Sequence, residues 1–320
     1  YWTEPAQNPM IVTVEEDGTI DFTGISTDGP FETASQAPVL NTGVGQAVNL
    51  VDYDGDGDLD AHVVNDGGAD QLLRNEAGTF VDVSGGLIAD SGAGRGAAWG
   101  EFTGDGVLDV FLARFDEANV LLVGDGTGGF TIPGTFGLDA VGPATAAIWA
   151  DYDLDGILDL YLVNHGDPNL LLKNSGDLGG LFLFQDMSTG VNEGGNGNAA
   201  CWVDCDLDGR PDLYVVNQFN PNKLYQNTPI GFSDLTNTSG LGETGKGLGV
   251  AWGDYDNDGD LDLYLANEGT ADALYRNTGP FLFAQVGGDN MGDRGNGRGV
   301  AWVDLNNDMF LDLYVVRNQE

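Results

Sequence analysis

An all-β fold of four-stranded units, arranged as a six-bladed β-propeller, is predicted by three observations. A motif of alternating aspartates recurs six times at an interval near 50 residues, and each copy runs directly into a short apolar segment. The 51 glycines follow no period of three, which favours many tight turns and close backbone approaches. Of the 320 residues 41% are hydrophobic, so a large core is affordable and disorder is not the expectation.

The motif reads "DYDGDGDLDAHVVN" from Asp52, "EFTGDGVLDVFLAR" from Glu101, "DYDLDGILDLYLVN" from Asp151 and "DCDLDGRPDLYVVN" from Asp204. It returns as "DYDNDGDLDLYLAN" from Asp254 and "DLNNDMFLDLYVVR" from Asp304. Successive starts lie 49, 50, 53, 50 and 50 residues apart. Two residues before each start stands Trp99, Trp149, Trp202, Trp252 or Trp302, with Leu50 in the first copy.

The elements of one repeat follow in order. The first strand carries the tryptophan, as in "GVAWGDYD"; the second is "LDLYLAN"; the third is "ALYRN"; the fourth resembles "LFAQVG". Four strands in about 50 residues is the pattern of a propeller blade, and a blade cannot bury its faces alone. The glycine-rich leads "GAGRGAAW", "GKGLGVAW" and "GNGRGVAW" precede the strand expected to lie innermost, where side chains have least room. The sixth copy ends after two strands. Residues 10–26 align with 72–85, so the N-terminal strands are expected to join the C-terminal strands and close the last blade, removing exposed edges. The domain reading is an extension over 1–8 and a single propeller over 9–320.

The loop pattern is Asp-x-Asp-x-Asp-Gly-x-x-Asp. At an effective dielectric of about 20, two carboxylates roughly 5 Å apart repel by about 3 kcal/mol, so such a loop either stays disordered or holds something positive among its carboxylates. Oxygen donors at alternate positions of a tight turn suit calcium. The candidate ligands at loop positions 1, 3, 5 and 9 are Asp52, Asp54, Asp56 and Asp60, then Asp151, Asp153, Asp155 and Asp159. The other complete loops offer Asp204, Asp206, Asp208 and Asp212, and Asp254, Asp256, Asp258 and Asp262. Position 7 can add a backbone carbonyl, from Asp58, Ile157, Arg210 or Asp260. Two copies are poorer. One keeps Glu101, Asp105 and Asp109 but has Thr103 at position 3; the other keeps Asp304, Asp308 and Asp312, with Asn306 at position 3 and Met309 in place of glycine. Four firm calcium sites and two weaker or empty ones are therefore expected.

Position 12 is Val63, Leu112, Leu162, Val215, Leu265 or Val315, never the glutamate that an EF-hand loop requires. Magnesium keeps more water, and transition metals prefer His or Cys, whereas His62 and His165 lie outside the ligand positions. A plain Asp-Gly turn signal explains one copy but not four complete ones.

These residues resemble the FG-GAP repeat, also called the VCBS-type repeat, of integrin alpha-chain propellers and many bacterial secreted proteins. The resemblance covers about residue 10 to 320. It implies calcium held between the first two strands of each blade, although integrin-type propellers have seven blades. Its members include adhesins, lectins and some polysaccharide lyases.

The formal charge is −40, from 51 acids against 11 bases, which argues against nucleic acid or an anionic membrane as a partner. Six calcium ions would carry +12 and bring it only to −28. No apolar run approaches the roughly 18 residues of a membrane helix, so no membrane insertion is expected. The chain opens on Tyr1 without a signal-like segment and is read as a mature exported chain, secreted or at the cell surface. Cys201 and Cys205, about 13 Å apart if both lie on one extended strand, are not expected to pair.

No nucleophile and base stand in a recognisable arrangement, and His62 occupies the Tyr/Phe slot of its repeat. An enzyme is not expected, although Arg95, Lys246 and Arg298 in the glycine-rich leads could serve a calcium-dependent lyase rather than act as local counter-charges. The functional expectation is an extracellular calcium-binding adhesion or scaffold protein whose partner is a glycan, a protein or itself. The alternatives are a filament subunit, in which the N-terminal strands complete a neighbour's blade, and a glycan-binding lectin or polysaccharide lyase.

Overall fold

The structure, a computed structural model, describes residues 13–14, 19–21, 39–40, 43–138, 142–286, 297–304 and 308–317. Five four-stranded antiparallel units follow one another along the chain; the first two are separate sheets, and the last three are joined within one 13-stranded sheet that also holds Gly134–Phe136, parallel to its neighbour. The first is Val44–Val51, Asp60–Asp66, Gln71–Glu76 and Thr79–Asp82. The second is Gly94–Gly100, Asp109–Arg114, Val120–Gly124 and Phe130–Thr131. The third is Ala144–Ala150, Asp159–Pro168, Leu170–Asp177 and Leu181–Asp186. The fourth is Gly194–Val203, Asp212–Pro221, Lys223–Thr228 and Gly231–Asp234. The fifth is Thr244–Gly253, Asp262–Asn267, Ala273–Asn277 and Phe283–Val286. Gly297–Val303 and Asp312–Arg317 begin a sixth.

The expected blade unit is thus present, with one register throughout: Trp202 opposes Leu213, Trp252 opposes Leu263 and Trp302 opposes Leu313. The second strands are continuous apolar runs, such as Leu263, Tyr264, Leu265 and Ala266, and are buried on both faces because neighbouring sheets cover them. The core lies between sheets. One cluster joins Phe102, Phe111 and Leu121 of the second repeat to Leu160, Leu172 and Phe182 of the third. Similar clusters join the third to the fourth and the fourth to the fifth.

The repeated tryptophan supplies a ring contact across this junction. Trp149 stacks on Phe102 with centroids 5.4 Å apart, and Trp202 on Tyr152 and Trp302 on Tyr255 repeat the arrangement. Each such pair adds about 0.5–1.5 kcal/mol beyond burial. First strands of consecutive repeats lie side by side. A Cβ on Gly249 would stand 2.5 Å from the carbonyl oxygen of Arg298, which is why the leads are rich in glycine.

The second strands of the third and fourth repeats run on and pair with the next repeat's first strand. His165 opposes Asn196 and Pro168 opposes Gly194; Gln218 opposes Lys246 and Pro221 opposes Thr244, with a bulge between each couple.

At the N-terminus, Thr13–Val14 and Thr19–Asp21 form the expected hairpin, with Val14 opposite Ile20. Val39–Leu40 adds an unanticipated third strand. Among the described residues no pairing joins this hairpin to Asp312–Arg317, and the sheets do not close into a ring. Val39–Leu40 lies against Thr19–Asp21, the second strand of the hairpin, a pairing that the sequence reading did not foresee. The extension 1–8 and most of 9–26 lie outside the described residues. Cys201 and Cys205 are free thiols.

Candidate metal centres

The acidic loops connect the first and second strands of each repeat. The position-1 carboxylate organises the turn. Asp254 accepts the N–H of Asp258 at 3.0 Å and of Gly259 at 2.9 Å, and Asp52, Asp151 and Asp204 do the same in their loops. The glycine is required here because Gly259 has φ +95°.

Position 9 enters the buried second strand. Asp212 accepts the N–H of Cys205 at 3.0 Å and of Asn227 at 2.8 Å, the latter on the third strand. Burial pushes these carboxyls up: Asp60, Asp109 and Asp262 to about 6, and Asp159 and Asp212 to about 7, against the lowering effect of the amides that they accept.

Positions 1, 3 and 9 come together. In Asp52/Asp54/Asp60, Asp151/Asp153/Asp159, Asp204/Asp206/Asp212 and Asp254/Asp256/Asp262, one oxygen from each carboxylate lies within 4.8 Å of the others. These are the four loops that the sequence reading ranked as complete. The position-5 residues Asp56, Asp155, Asp208 and Asp258 stand outside the groups of three. Their Oδ1 atoms instead accept the N–H of position 7, at Asp58, Ile157, Arg210 and Asp260.

Among the described residues the Glu101 and Asp304 loops form no such group. Glu101 turns its Oε1 onto the amides of Gly104 and Asp105, while Asp109 keeps the two position-9 amide contacts. Asp304 accepts the N–H of Asp308 and Met309, and Asp308 that of Phe310. Asn306 lies outside the described residues.

Whether a cation fits is decided by the oxygens. Oδ1 of Asp54, Asp153 and Asp256, the same position in three loops, is buried without a hydrogen-bond partner, as is Oδ2 of Asp159. A buried carboxylate oxygen is costly unless a positive group meets it. Three convergent carboxylates without His or Cys form a hard donor set, which suits calcium. Such an ion would supply the positive charge these oxygens face, held by positions 1, 3 and 9.

Sequence reading missed the cationic arm of the third strand. Lys173 pairs with Asp153 and Asp155, Arg276 pairs with Asp256 at 2.9 Å, and Gln226 donates to Asp206 at 3.0 Å. The signal was the third letter of the "LYRN" segment, occupied by Arg74, Lys173, Gln226 and Arg276. His62 is buried, accepts the Trp99 indole N–H on Nδ1 at 3.2 Å, and is pushed down to about 3 by desolvation. Arg95 pairs with Asp66, while Lys246 and Arg298 share Glu268.

Comparison with known proteins adds a family and a fold. The family model described as FG-GAP-like repeat matches residues 52–112, 101–162, 151–215, 204–265 and 254–315. No curated protein sequence matches the chain. Among solved structures, BBS1N in complex with ARL6DN is similar at TM-score 0.56 and 11% identity, covering 96% of this chain and 84% of that one. The V. cholerae biofilm matrix protein Bap1 gives TM-score 0.45 at 18% identity over 81% of this chain and 42% of its own. A Bacillus licheniformis rhamnogalacturonan lyase of type PL11 gives 0.48 at 13% identity over 85% of this chain and 55% of its own. The chain thus spans about half the length of these last two.

Proposed function

The chain belongs to the FG-GAP-like repeat family, and from that premise we propose that it is an extracellular, calcium-stabilised β-propeller acting as a non-enzymatic adhesion or scaffold module. The observation that carries the proposal is the fourfold grouping of carboxylates at loop positions 1, 3 and 9, with the position-3 oxygen orphaned in three loops. Loops of this kind stay open to solvent on one side, and an exterior with millimolar calcium would keep even modest sites filled. No helix among the described residues is long and apolar enough to cross a membrane. The six-bladed ring is part of this proposal, with the N-terminal hairpin as the missing outer half of the last blade.

Calcium's role in this reading is to hold each hairpin while the opposite ends of the blades present the recognition surface. Thermal unfolding after complete metal removal, with and without millimolar calcium, tests the first half; an unchanged melt overturns it. Retention of the calcium-loaded chain on a cell-surface or matrix preparation, lost with chelator, tests the second.

A second reading is supported by one feature. Among the described residues Asp312–Arg317 pairs only with Gly297–Val303, which leaves an edge that a hairpin from another copy could take. Light scattering at millimolar calcium distinguishes a 33.6 kDa monomer from a ladder of strand-exchanged polymers.

A further inference from the structure

The second strands end on the side of each sheet opposite the acidic loops, and one of these ends departs from its sisters. The residue two places after the buried asparagine of the second strand is Gly67, Gly166 and Gly269 in the first, third and fifth repeats, with φ of +71°, +84° and +74°. The fourth repeat places Phe219 there, at φ +67°. Phe219 lies in the bulge between the Gln218–Lys246 and Pro221–Thr244 pairs, as Gly166 does in the corresponding bulge one repeat earlier. A phenylalanine is strained in this conformation, and no burial compensates: the side chain is 63% exposed. A strained, exposed aromatic thus stands where three sister repeats keep glycine, and the ring contact it makes is with the Lys246 ammonium.

Phe219 forms one wall of a cleft of about 460 Å³, whose other walls are Thr244, Gly245, Lys246, Glu268, Gly269 and Thr270. That volume is within the roughly 300–1,000 Å³ of small-molecule sites. The Lys246 ammonium lies 5.2 Å from the ring centroid and is held near Glu268, which Arg298 also pairs. The cleft therefore offers an exposed aromatic ring, with an ammonium over one side of it, beside a carboxylate and two hydroxyl-bearing side chains. A protein anchor would want several apolar neighbours, and only Phe219 is aromatic or aliphatic here apart from glycine and the threonine methyls. A pyranose ring matches better: its C–H face packs on the aromatic, and its hydroxyls both donate to Glu268 and accept from Lys246. The formal charge of −40 on the whole chain favours a neutral sugar over a uronate.

We infer that the Phe219 cleft is a binding subsite for a neutral pyranose unit of a glycan, with Phe219 as the stacking platform and Glu268 and Lys246 as the hydroxyl partners. The inference rests on the adhesion reading above and narrows it to a glycan ligand at one junction, between the fourth and fifth repeats.

The test is saturation-transfer NMR on the calcium-loaded full chain. The probes are the methyl pyranosides of glucose, galactose, mannose and N-acetylglucosamine, with methyl glucuronide as the charged comparison. At least one neutral pyranoside should show transfer, strongest at its ring C–H protons, and methyl glucuronide should show less. Phe219→Gly should abolish the transfer while leaving the melting temperature unchanged or raised by up to about 3 °C, because the strain is relieved. Glu268→Gln should weaken it severalfold. No transfer from any neutral pyranoside, transfer that survives Phe219→Gly, or a lowered melting temperature in that variant would each overturn the inference. Self-association lost only in Phe219→Gly, without sugar transfer, would assign the ring to a protein contact and also overturn it. If Phe219→Gly leaves retention on a matrix preparation intact, this subsite fails while the adhesion reading stands.

Discussion

Asn227 donates its backbone N–H to Asp212 Oδ1 at 2.8 Å, and its side-chain Nδ2 donates to the carbonyl of Tyr152 in the preceding repeat. One residue of the third strand thus fixes a position-9 carboxylate in its own loop and grips the neighbouring loop. Asn174 does the same with Asp159 and the Phe102 carbonyl. Acidic loops of adjacent repeats are therefore mechanically joined.

Asn227→Ala keeps the backbone donor but leaves the Tyr152 and Pro211 carbonyls without theirs. The expected cost is about 1–3 kcal/mol, as for other unpaired buried acceptors. Denaturant unfolding in calcium measures it, and a loss under about 0.5 kcal/mol would contradict the role assigned to the side chain.

Asp70 gives a pH-dependent prediction. It is buried, accepts the N–H of Asn65 at 2.7 Å, and is pushed up to about 7 by desolvation, with Asp90 raising and Arg114 lowering it. Its folded value exceeds the unfolded one, so its favourable contribution is complete at low pH and is lost as pH rises through about 7. Asn119, Asn169 and Asn222 make the equivalent bond in later repeats without a charge. Asp70→Asn should therefore stabilise the protein by about 1–3 kcal/mol at pH 8 and by distinctly less at pH 5, within the window between the unfolded and folded values. Unfolding curves at both values decide it; equal effects would remove titration as the cause.

The strand order of a repeat, its register and the three-acid groups were legible because each is written several times over. Period, tryptophan and aspartate spacing all point to one unit, and Asp52, Asp151, Asp204 and Asp254 open complete loops. The side position of Asp155 and Asp258 was not legible, since alternation alone does not show that their Oδ1 turns back to the loop amides. Nor was Val39–Leu40, a two-residue strand without a sister elsewhere. Phe219 was hidden for the opposite reason: it breaks the repeat, and its φ of +67° is what shows that it stands where the sister repeats keep glycine.

Among the described residues loop position 4 is left-handed, at Gly55, Gly104, Leu154, Leu207 and Asn257, with φ between +58° and +83°. Leu154 and Leu207 are 51% and 61% exposed, so their strain is not offset by burial. Asparagine tolerates this region far better, as Asn257 illustrates. Leu154→Asn and Leu207→Asn should each stabilise by about 0.5–1 kcal/mol and add when combined, being in separate loops. A net loss in either, by thermal or denaturant unfolding, would show that the leucine has a packing partner.

Lys173 and the third loop compete for the same charge that calcium would bring. The ammonium pairs with Asp153 and Asp155 from the third strand, and both partners hold its proton firmly. Without metal this arm relieves carboxylate repulsion; with metal it must swing away from Asp153 or share it. Lys173→Met keeps most of the aliphatic stem and removes the charge. The metal-free protein should then lose up to about 1 kcal/mol, the range of partly exposed ion pairs. Calcium affinity at this loop should rise about 3- to 30-fold, because no internal cation has to be displaced and the loop carries one more net negative charge. Calcium titration of wild type and variant, at fixed ionic strength, measures both the shift and its assignment. Asp56 and Asp208 lack a lysine partner among the described ion pairs, so the first and fourth loops should titrate unchanged in the variant. Weaker calcium binding by Lys173→Met would mean that the lysine orders the loop for its ion rather than standing in for it.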